Sequence, residues 1–328
     1  MERRERRVTL DLVIPIWNEE DTLPALLARL REVFSAPARE RHRLGGVRFV
    51  FVDDGSRDRS AEMLAKEIAA GLPAILCRLS RNFGHQSAVS AGLDLAEADL
   101  VAVIDADLQD PPELVPEMVA RWREGSDVVY AQRRKRKDNP LKVAGAWVFY
   151  RLVALLADLD IPLDSGDFCL MDSRVTRAMK ALPEKLRFPR GLRAWVGFRQ
   201  NGLEYDRPPR AAGRSKYGWR RLYRLATDGV VSSSVRPLQL AQVFSVSYLL
   251  LTLLGLSALL RPASAGIPPF VLGGYLLIVI GNFVQVLCIY ILGAYVGRTY
   301  LEVKGRPTYV VRELIPAPDV HPTGKGTA

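Results

Sequence analysis

Cysteine is scarce in this 328-residue chain: Cys77, Cys169 and Cys288 are odd in number and share no ligand-like spacing. That excludes a disulfide framework and a structural zinc site and fits a reducing compartment. Charge is missing from two long runs, Leu238 to Leu260 and Phe270 to Gly297. Each is long enough to cross about 30 Å of hydrocarbon as a helix, and neither carries the polar stripe of a helix packed in a soluble core. Aromatics are missing from the basic run "RRKRK", Arg133 to Lys137, so it lacks the stacking platforms of a nucleic-acid site despite a net charge of +10. Anionic membrane lipid is the expected partner of the basic residues, which gather near the apolar runs. The opening "MERRERRVTLDLVIPI", with Asp11 inside its apolar run, does not read as a signal peptide. No internal repeat is visible.

The two apolar runs are joined by nine residues, "RPASAGIPP", which implies a transmembrane hairpin with both flanks on one side. Arg236 on one flank and Arg298, Lys304, Arg306 and Arg312 on the other place that side in the cytoplasm by the positive-inside rule. The soluble part and both termini are therefore expected to be cytoplasmic. Two further stretches, 141–160 and 215–235, mix apolar or aromatic residues with Arg and Lys and suit helices lying in the headgroup region.

The first 130 or so residues alternate short apolar runs with amphipathic ones. "VTLDLVIPI", "VRFVFVDD", "AILCRL", "DLVAVIDAD" and "DVVYAQR" read as strands, and Glu19–Phe34, Arg59–Ala70, Gly84–Ala96 and Pro112–Arg123 as helices between them. Strands apolar on both faces, separated by helices, indicate an α/β fold with a mostly parallel sheet covered on both sides. Ligands in such folds bind beyond the carboxyl ends of the strands. The unusual residues cluster there, in "PIWNEED", "DDGSRD", "SRNFGHQ", "DADLQD" and "AQRR".

Asp105, Asp107 and Asp110 follow the fourth strand within six residues. Side chains at i and i+2 of an extended chain point the same way, so Asp105 and Asp107 can share one hard divalent cation, with a diphosphate supplying further oxygens. An EF-hand is excluded, because its sixth and twelfth positions hold Asp110 and Pro116 instead of Gly and Glu. Asp110 is expected to cap the helix that opens at "PPE". His85, without a paired Ser or Asp motif, is expected to be structural rather than part of a catalytic triad.

In sequence order, "VIPIWNEE", "FVDDGSRDRS", "RNFGHQSAVSAGL", "DADLQDPPE", "SGDFCLMD", "RGLRAWVGF" and "AAGRSKYG" resemble glycosyltransferase family 2. Within it they resemble the polyprenyl-phosphate glycosyltransferases, which include bactoprenol glucosyltransferases and dolichol-phosphate mannose synthases. The resemblance covers about residues 8 to 297 and implies a GT-A (Rossmann-like) fold. It also implies inverting, metal-dependent transfer of one hexose from a nucleotide sugar to a polyprenyl phosphate such as undecaprenyl phosphate. UDP-glucose is the first expected donor and GDP-mannose the second. An inactive membrane-anchored scaffold of the same fold is the reading from another class.

By the same resemblance, Pro15, Trp17, Glu19, Val52, Asp54, Arg81, Asn82, Gly84, Asp105, Ala106, Asp107 and Arg133 would bind the nucleotide sugar. Asp105, Asp107 and Gln109 would hold Mg²⁺ or Mn²⁺, and Arg210, Ser215 and Lys216 the acceptor phosphate. Asp107, Asp167, Arg210 and Lys216 would act in catalysis, Asp167 as a base or as an orienting group; a helix-cap role for it is the alternative. The Q-x-x-R-W motif of processive synthases is absent, which argues against a polymerase.

The implied division is a nucleotide-sugar-binding part over 1–140 and an acceptor-side part with interfacial helices over 141–236. Two transmembrane helices follow at about 238–260 and 270–297, then a cytoplasmic tail over 298–328 with short strands and a disordered end. The branch also implies a homo-oligomer.

Overall fold

A computed structural model describes residues 2–133, 165–185, 187–206, 236–259 and 269–316. They fall into two compact units. The first holds the described residues up to 206 and those from 307 onward; the second holds those between 236 and 306.

The first unit is built on an eight-stranded sheet in the order β7-β5-β6-β4-β1-β2-β3-β8. Its strands are β1 (Val8–Ile16), β2 (Leu44–Asp53), β3 (Ala74–Leu79), β4 (Leu100–Val103), β5 (Val128–Arg133), β6 (Ser165–Asp172), β7 (Gln200–Tyr205) and β8 (Val311–Ile315). Parallel pairing joins β1 to β2 and β4, β2 to β3, and β5 to β7. Antiparallel pairing brings in β6, between β4 and β5, and β8, on the outer side of β3.

β1 shows why the middle of this sheet forms. Every residue but Thr9 is buried, and alternate side chains enter opposite layers. Leu10, Leu12, Ile14 and Ile16 join a core completed by α2 (Leu23–Val33), α4 (Ser60–Ala69) and α6 (Val115–Arg123). Val13 joins the opposite core, made by α5 (His85–Leu95) and α7 (Ser173–Ala181), with Leu192 of α8 (Pro189–Trp195) packed against it. Two short helices, α1 (Glu2–Glu5) and α3 (Ala36–Arg41), lie before β1 and β2. Asp11, the acid inside the first apolar run, is buried and accepts from Arg48 Nε and Nη2 at 2.8 and 2.6 Å, and from the N–H groups of Glu97 and Ala98. Its polarity is thereby satisfied, which is what burial of a charge requires.

The second unit contains α9 (Arg236–Leu259) and α10 (Pro269–Val303). Among the described residues one helix, Gly273–Val303 with mean hydropathy 2.3, is long and apolar enough to cross a membrane. Large side chains such as Phe283, Val286 and Ile278 stand exposed on it. The expected end of this helix at 297 is corrected to Val303, because "RTYLEV" contains no breaker and Gly305 and Pro307 are the first residues to stop it. The short strands expected over 298–311 are corrected: 298–303 continue the helix, and one strand, β8 (Val311–Ile315), begins where that stretch ends and belongs to the sheet of the first unit. The stretches 141–160 and 215–235 lie outside the described residues, as does the end of the chain from 317.

Candidate functional site

The loops after β1 and β2 are tied together by side chains. Ser56 Oγ accepts from the Asn18 N–H at 3.0 Å, Asn18 Oδ1 from the Arg57 N–H at 2.8 Å, and Asp58 Oδ2 from the Glu20 N–H at 3.1 Å. Asn18 takes a left-handed backbone with φ 55°, which Asn tolerates better than most residues. Gly55, at φ 69°, makes the next junction: a Cβ there would lie 2.5 Å from the carbonyl carbon of Arg81. The β2 and β3 loops can meet only because that position has no side chain.

Beyond these strand ends lies a cavity of about 420 Å³, walled in part by Trp17, Asp53, Arg78, Arg81, Asn82 and Arg312. Trp17 is 42% exposed, an unusual state for so large a ring. Arg81 stacks its guanidinium 4.0 Å over the Phe83 ring. Of the expected nucleotide contacts, the structure brings Trp17, Arg81 and Asn82 to one wall.

Several others do different work. Val52 is fully buried in the core, and Pro15 is buried beside it in the β1–β2 register. Asp54 is buried and accepts from the Phe83 and Gly84 N–H groups at 2.7 and 2.9 Å, so its carboxylate shapes the third loop. Burial pushes its pKa up, against those two hydrogen bonds. The acid that lines the cavity is its neighbour, Asp53. Gly84, at φ 100°, precedes α5, and Glu19 Oε2 accepts from the Thr22 hydroxyl at 2.7 Å. Arg133 ends β5, with its side chain outside the described set; Arg210, Ser215 and Lys216 lie wholly outside it.

A second group of residues assembles where β4 and β6 end. Along 105–109 burial alternates: Asp105, Asp107 and Gln109 are part-exposed, while Ala106 and Leu108 between them are buried. Asp110 is corrected from its expected capping role. It is buried and accepts from the Asp105 N–H at 3.3 Å and the Tyr205 hydroxyl at 3.1 Å, and the short helix after it has no side-chain cap. The motif is thus a loop pinned from beneath by one acid and offering two others outward.

Among the described residues no group of three or more His, Cys, Asp or Glu is arranged to hold a metal ion. Two carboxylates and an amide on one side of a loop still fit Mg²⁺ or Mn²⁺, because such ions commonly take one or two carboxylates plus substrate phosphates rather than an all-protein cage. Asp105, Asp107 and Gln109 are the residues that would hold it.

β6 runs antiparallel to β4, and the last pair is Val103 with Cys169, so Asp105 and Asp167 each lie two residues beyond it in their chains. Asp167 Oδ2 receives His85 Nε2 at 3.1 Å and Gln86 Nε2 at 3.2 Å, and Arg190 Nη2 lies 3.4 Å away. His85 Nε2 is also 3.7 Å from Asp105 Oδ1. Asp167 therefore sits inside a strand as the hub of a charged cluster, and the helix-cap reading of it falls. Asp167 Oδ1 and Gln86 Oε1 are buried with no hydrogen-bond partner among the described residues. The Arg190 Nε donor is likewise buried without a partner among the described residues. Asp167 Oδ1 and Gln86 Oε1 are acceptors to which a substrate hydroxyl or a water can donate.

Burial opposes the Asp167 charge, but Arg190 and His85 outweigh it and hold the carboxyl far below its usual range. Burial likewise opposes the His85 charge, and the Asp167 hydrogen bond with the Asp105 charge raises its pKa to about 9. A raised histidine pKa stabilises the fold most below the unfolded value of about 6.5, and the contribution is lost as pH rises through the folded value. In chelator, the melting temperature of the parent should therefore exceed that of a His85→Gln variant near pH 6, and the gap should close above pH 9. A gap independent of pH would mean that the imidazole is neutral.

His85 is structural in that it bridges two acids, yet the acids it bridges are those of the site. Gln86 and Arg190 were not foreseen, nor were Asp53, Arg78 and Arg312. The "RGLRAWVGF" motif contained Arg190, but spacing alone gave no partner for it.

The pattern described as "Glycosyl transferase family 2" matches residues 11–179. The "Uncharacterized glycosyltransferase YkcC" of Bacillus subtilis is 40% identical, covering 94% of this chain and 94% of its own. The "SfII prophage-derived bactoprenol glucosyl transferase" of Shigella flexneri is 36% identical over 93% of this chain and 97% of its own. Among solved structures, the mannosyltransferase PcManGT of Pyrobaculum calidifontis, in complex with GDP-Man and Mn2+, matches at 16% identity and TM-score 0.45, covering 92% of this chain and 80% of that one.

Proposed function

Because the chain belongs to glycosyltransferase family 2, we propose that it moves one hexose, glucose from UDP-glucose in the first instance, onto a polyprenyl phosphate such as undecaprenyl phosphate at the cytoplasmic membrane face. The observation that carries this reading is similarity to a bactoprenol glucosyl transferase over 93% of this chain and 97% of the relative, a span that takes in the apolar C-terminal helix. In this reading α9 and α10 are both spans, and the Arg and Lys residues beside them face the cytoplasm.

The chemistry divides among the residues already placed. Trp17 offers its exposed face for a base to stack on, and Asp53, whose Oδ1 accepts from the Ser56 N–H, would accept a ring N–H through its other oxygen. Asp105, Asp107 and Gln109 would hold a divalent cation, which when bound supplies positive charge to the departing nucleoside diphosphate. The acceptor phosphate oxygen bonds to C1 of the sugar as the bond from C1 to the β-phosphate oxygen breaks, and the configuration at C1 inverts. The acceptor is already an anion, so no proton must leave it.

This last point assigns Asp167 its work. An oxygen shared by His85, Gln86 and Arg190 is a poor base, whereas its unpartnered Oδ1 can orient a sugar hydroxyl. Arg210, Ser215 and Lys216 complete the proposal as the group that meets the acceptor phosphate.

The test is a transfer assay with purified chain in lipid, undecaprenyl phosphate, Mg²⁺ or Mn²⁺, and UDP-glucose, GDP-mannose and UDP-N-acetylglucosamine in parallel. Lipid-soluble label from UDP-glucose, abolished by EDTA, is the expected result. Label from GDP-mannose alone would replace the donor, and label surviving EDTA would remove the metal from the mechanism.

A further inference from the structure

The strand that follows the apolar helix ends up at the cavity of the first two loops. β8 pairs antiparallel with β3, with Arg78 opposite Glu313 and Leu79 opposite Val311. Residue 312 is passed over in that register, so Arg312 is the extra residue of a β-bulge. Bulges of this kind bend a strand and re-aim a side chain, often beside a binding site. Here the re-aimed residue lines the same cavity as Trp17, Asp53 and Arg81.

The strap that carries the bulge is fastened along its length. Thr308 Oγ1 donates to the Lys185 carbonyl at 2.8 Å, the Tyr309 hydroxyl to Asp94 Oδ2 at 2.8 Å, and the Ser80 N–H to the Val310 carbonyl at 2.9 Å. Arg78 Nη1 donates to Glu313 Oε2 at 2.9 Å and so joins the strap to the cavity wall. Burial and the Asp94 bond push the Tyr309 phenol well above its ordinary pKa, so this latch stays protonated at working pH.

Charge points to the occupant. Four arginines, Arg57, Arg78, Arg81 and Arg312, line the cavity against one acid, Asp53, which is largely buried and accepts from the Ser56 N–H at 3.0 Å. Arg78 is committed to Glu313 and lies 3.7 Å from Asp53. Among the described residues no carboxylate lies within ion-pair distance of Arg312. A wall with unspent positive charge, an exposed indole and one acceptor carboxylate fits a nucleotide, whose base stacks and whose carbonyls and phosphates accept from guanidinium groups.

We infer that the strap over 307–316 is part of the donor site and that Arg312 is a nucleotide-binding residue, donating to the nucleoside diphosphate from the bulge. The inference rests on the proposed donor class and adds a contact from a segment more than 200 residues from the other loops, as the separation of 235 between Arg78 and Glu313 shows. The alternative for an Arg on an edge strand is protection of that edge from pairing with another chain.

The experiment compares the full-length chain in detergent with Arg312→Ala and Arg312→Lys, measuring UDP and GDP affinity by calorimetry, donor and acceptor KM by transfer, and melting temperature. The expected result is a loss of about tenfold in nucleotide affinity for Arg312→Ala, as befits a charge-assisted hydrogen bond. It should come with partial recovery in Arg312→Lys, a matching rise in donor KM, and no change in acceptor KM or melting temperature. Unchanged affinity in Arg312→Ala, with the parent binding UDP or GDP, overturns the Arg312 assignment and leaves the proposed function standing. A lower melting temperature with acceptor and donor KM changed alike would mean a structural strap and also overturns it. A parent that binds neither nucleotide overturns the donor reading, and this inference with it.

Discussion

Asp107→Asn should lower lipid-linked sugar formation by about a thousandfold while the melting temperature stays close to that of the parent. The reasoning starts from its position. Asp107 is part-exposed on the outward side of the loop, and its Oδ1 accepts from the Gln109 N–H at 3.1 Å, a bond that the amide oxygen of Asn can also accept. The fold therefore loses little. What goes is one negative oxygen from a proposed cation site, and with it much of the charge stabilisation available to the leaving diphosphate; about 4 kcal/mol of lost transition-state stabilisation corresponds to that factor. Asp105→Asn should behave similarly, with a small change in melting temperature because His85 lies 3.7 Å from Asp105.

Asp110→Asn provides the contrast: its carboxylate is buried beneath the loop and accepts from Asp105 N–H and Tyr205 hydroxyl, so it should lose stability first and activity as a consequence. Transfer assays over a series of Mn²⁺ concentrations, paired with melts of each variant, separate the cases. Full activity in Asp107→Asn would remove the cation site from the mechanism.

The first five strands and the helices between them were legible because each is short and its hydrophobic pattern is set by its own neighbours. β1 is apolar nearly throughout, as a strand covered on both faces must be, and α4 and α6 carry their buried residues on one side. The parts that were not legible are long-range. β6 owes its place between β4 and β5 to pairings that no local pattern encodes, and β8 reaches β3 from the far side of the apolar helix. Short strands were expected after the apolar helix, but not their partner, because that strand lies more than 200 residues earlier, at Arg78.

The site divides along the same line. Asp105 and Asp107 could be placed on one side of their loop from spacing, Gln109 came from the family resemblance, and all three are part-exposed between buried neighbours. Adjacent candidates were harder. In "FVDDGS" either Asp could have faced a ligand; β2 delivers Asp53 to the cavity, while Asp54 folds back to hold Phe83 and Gly84. The Val52 side chain is buried because this end of β2, Phe49 to Asp53, is covered on both faces. His85 lacked any local partner in the sequence, and its two carboxylates come from β6 and from the loop after β4.

Asp167→Asn should reduce turnover by about a hundredfold or more and also lower stability, a double effect that Asp107→Asn lacks. The side chain is only 10% exposed, and one of its oxygens faces His85, Gln86 and Arg190 together. Neutralising it leaves Arg190 and the imidazole near each other without the anion between them, and an uncompensated buried charge is costly. The pH dependence then tells orientation from base catalysis. A working base yields a rate that climbs as pH passes its pKa, but Arg190 and His85 overcome burial to keep this carboxyl ionised far below the ordinary range. The parent should thus show no acid limb from Asp167 between about pH 5 and 8, and the Asp167→Asn profile should be lower but of the same shape. Loss of an acid limb in the variant would make Asp167 a base. If the profile keeps its shape, the chain uses a buried carboxylate, fixed by two cations, to hold the sugar while an already anionic acceptor does the attacking.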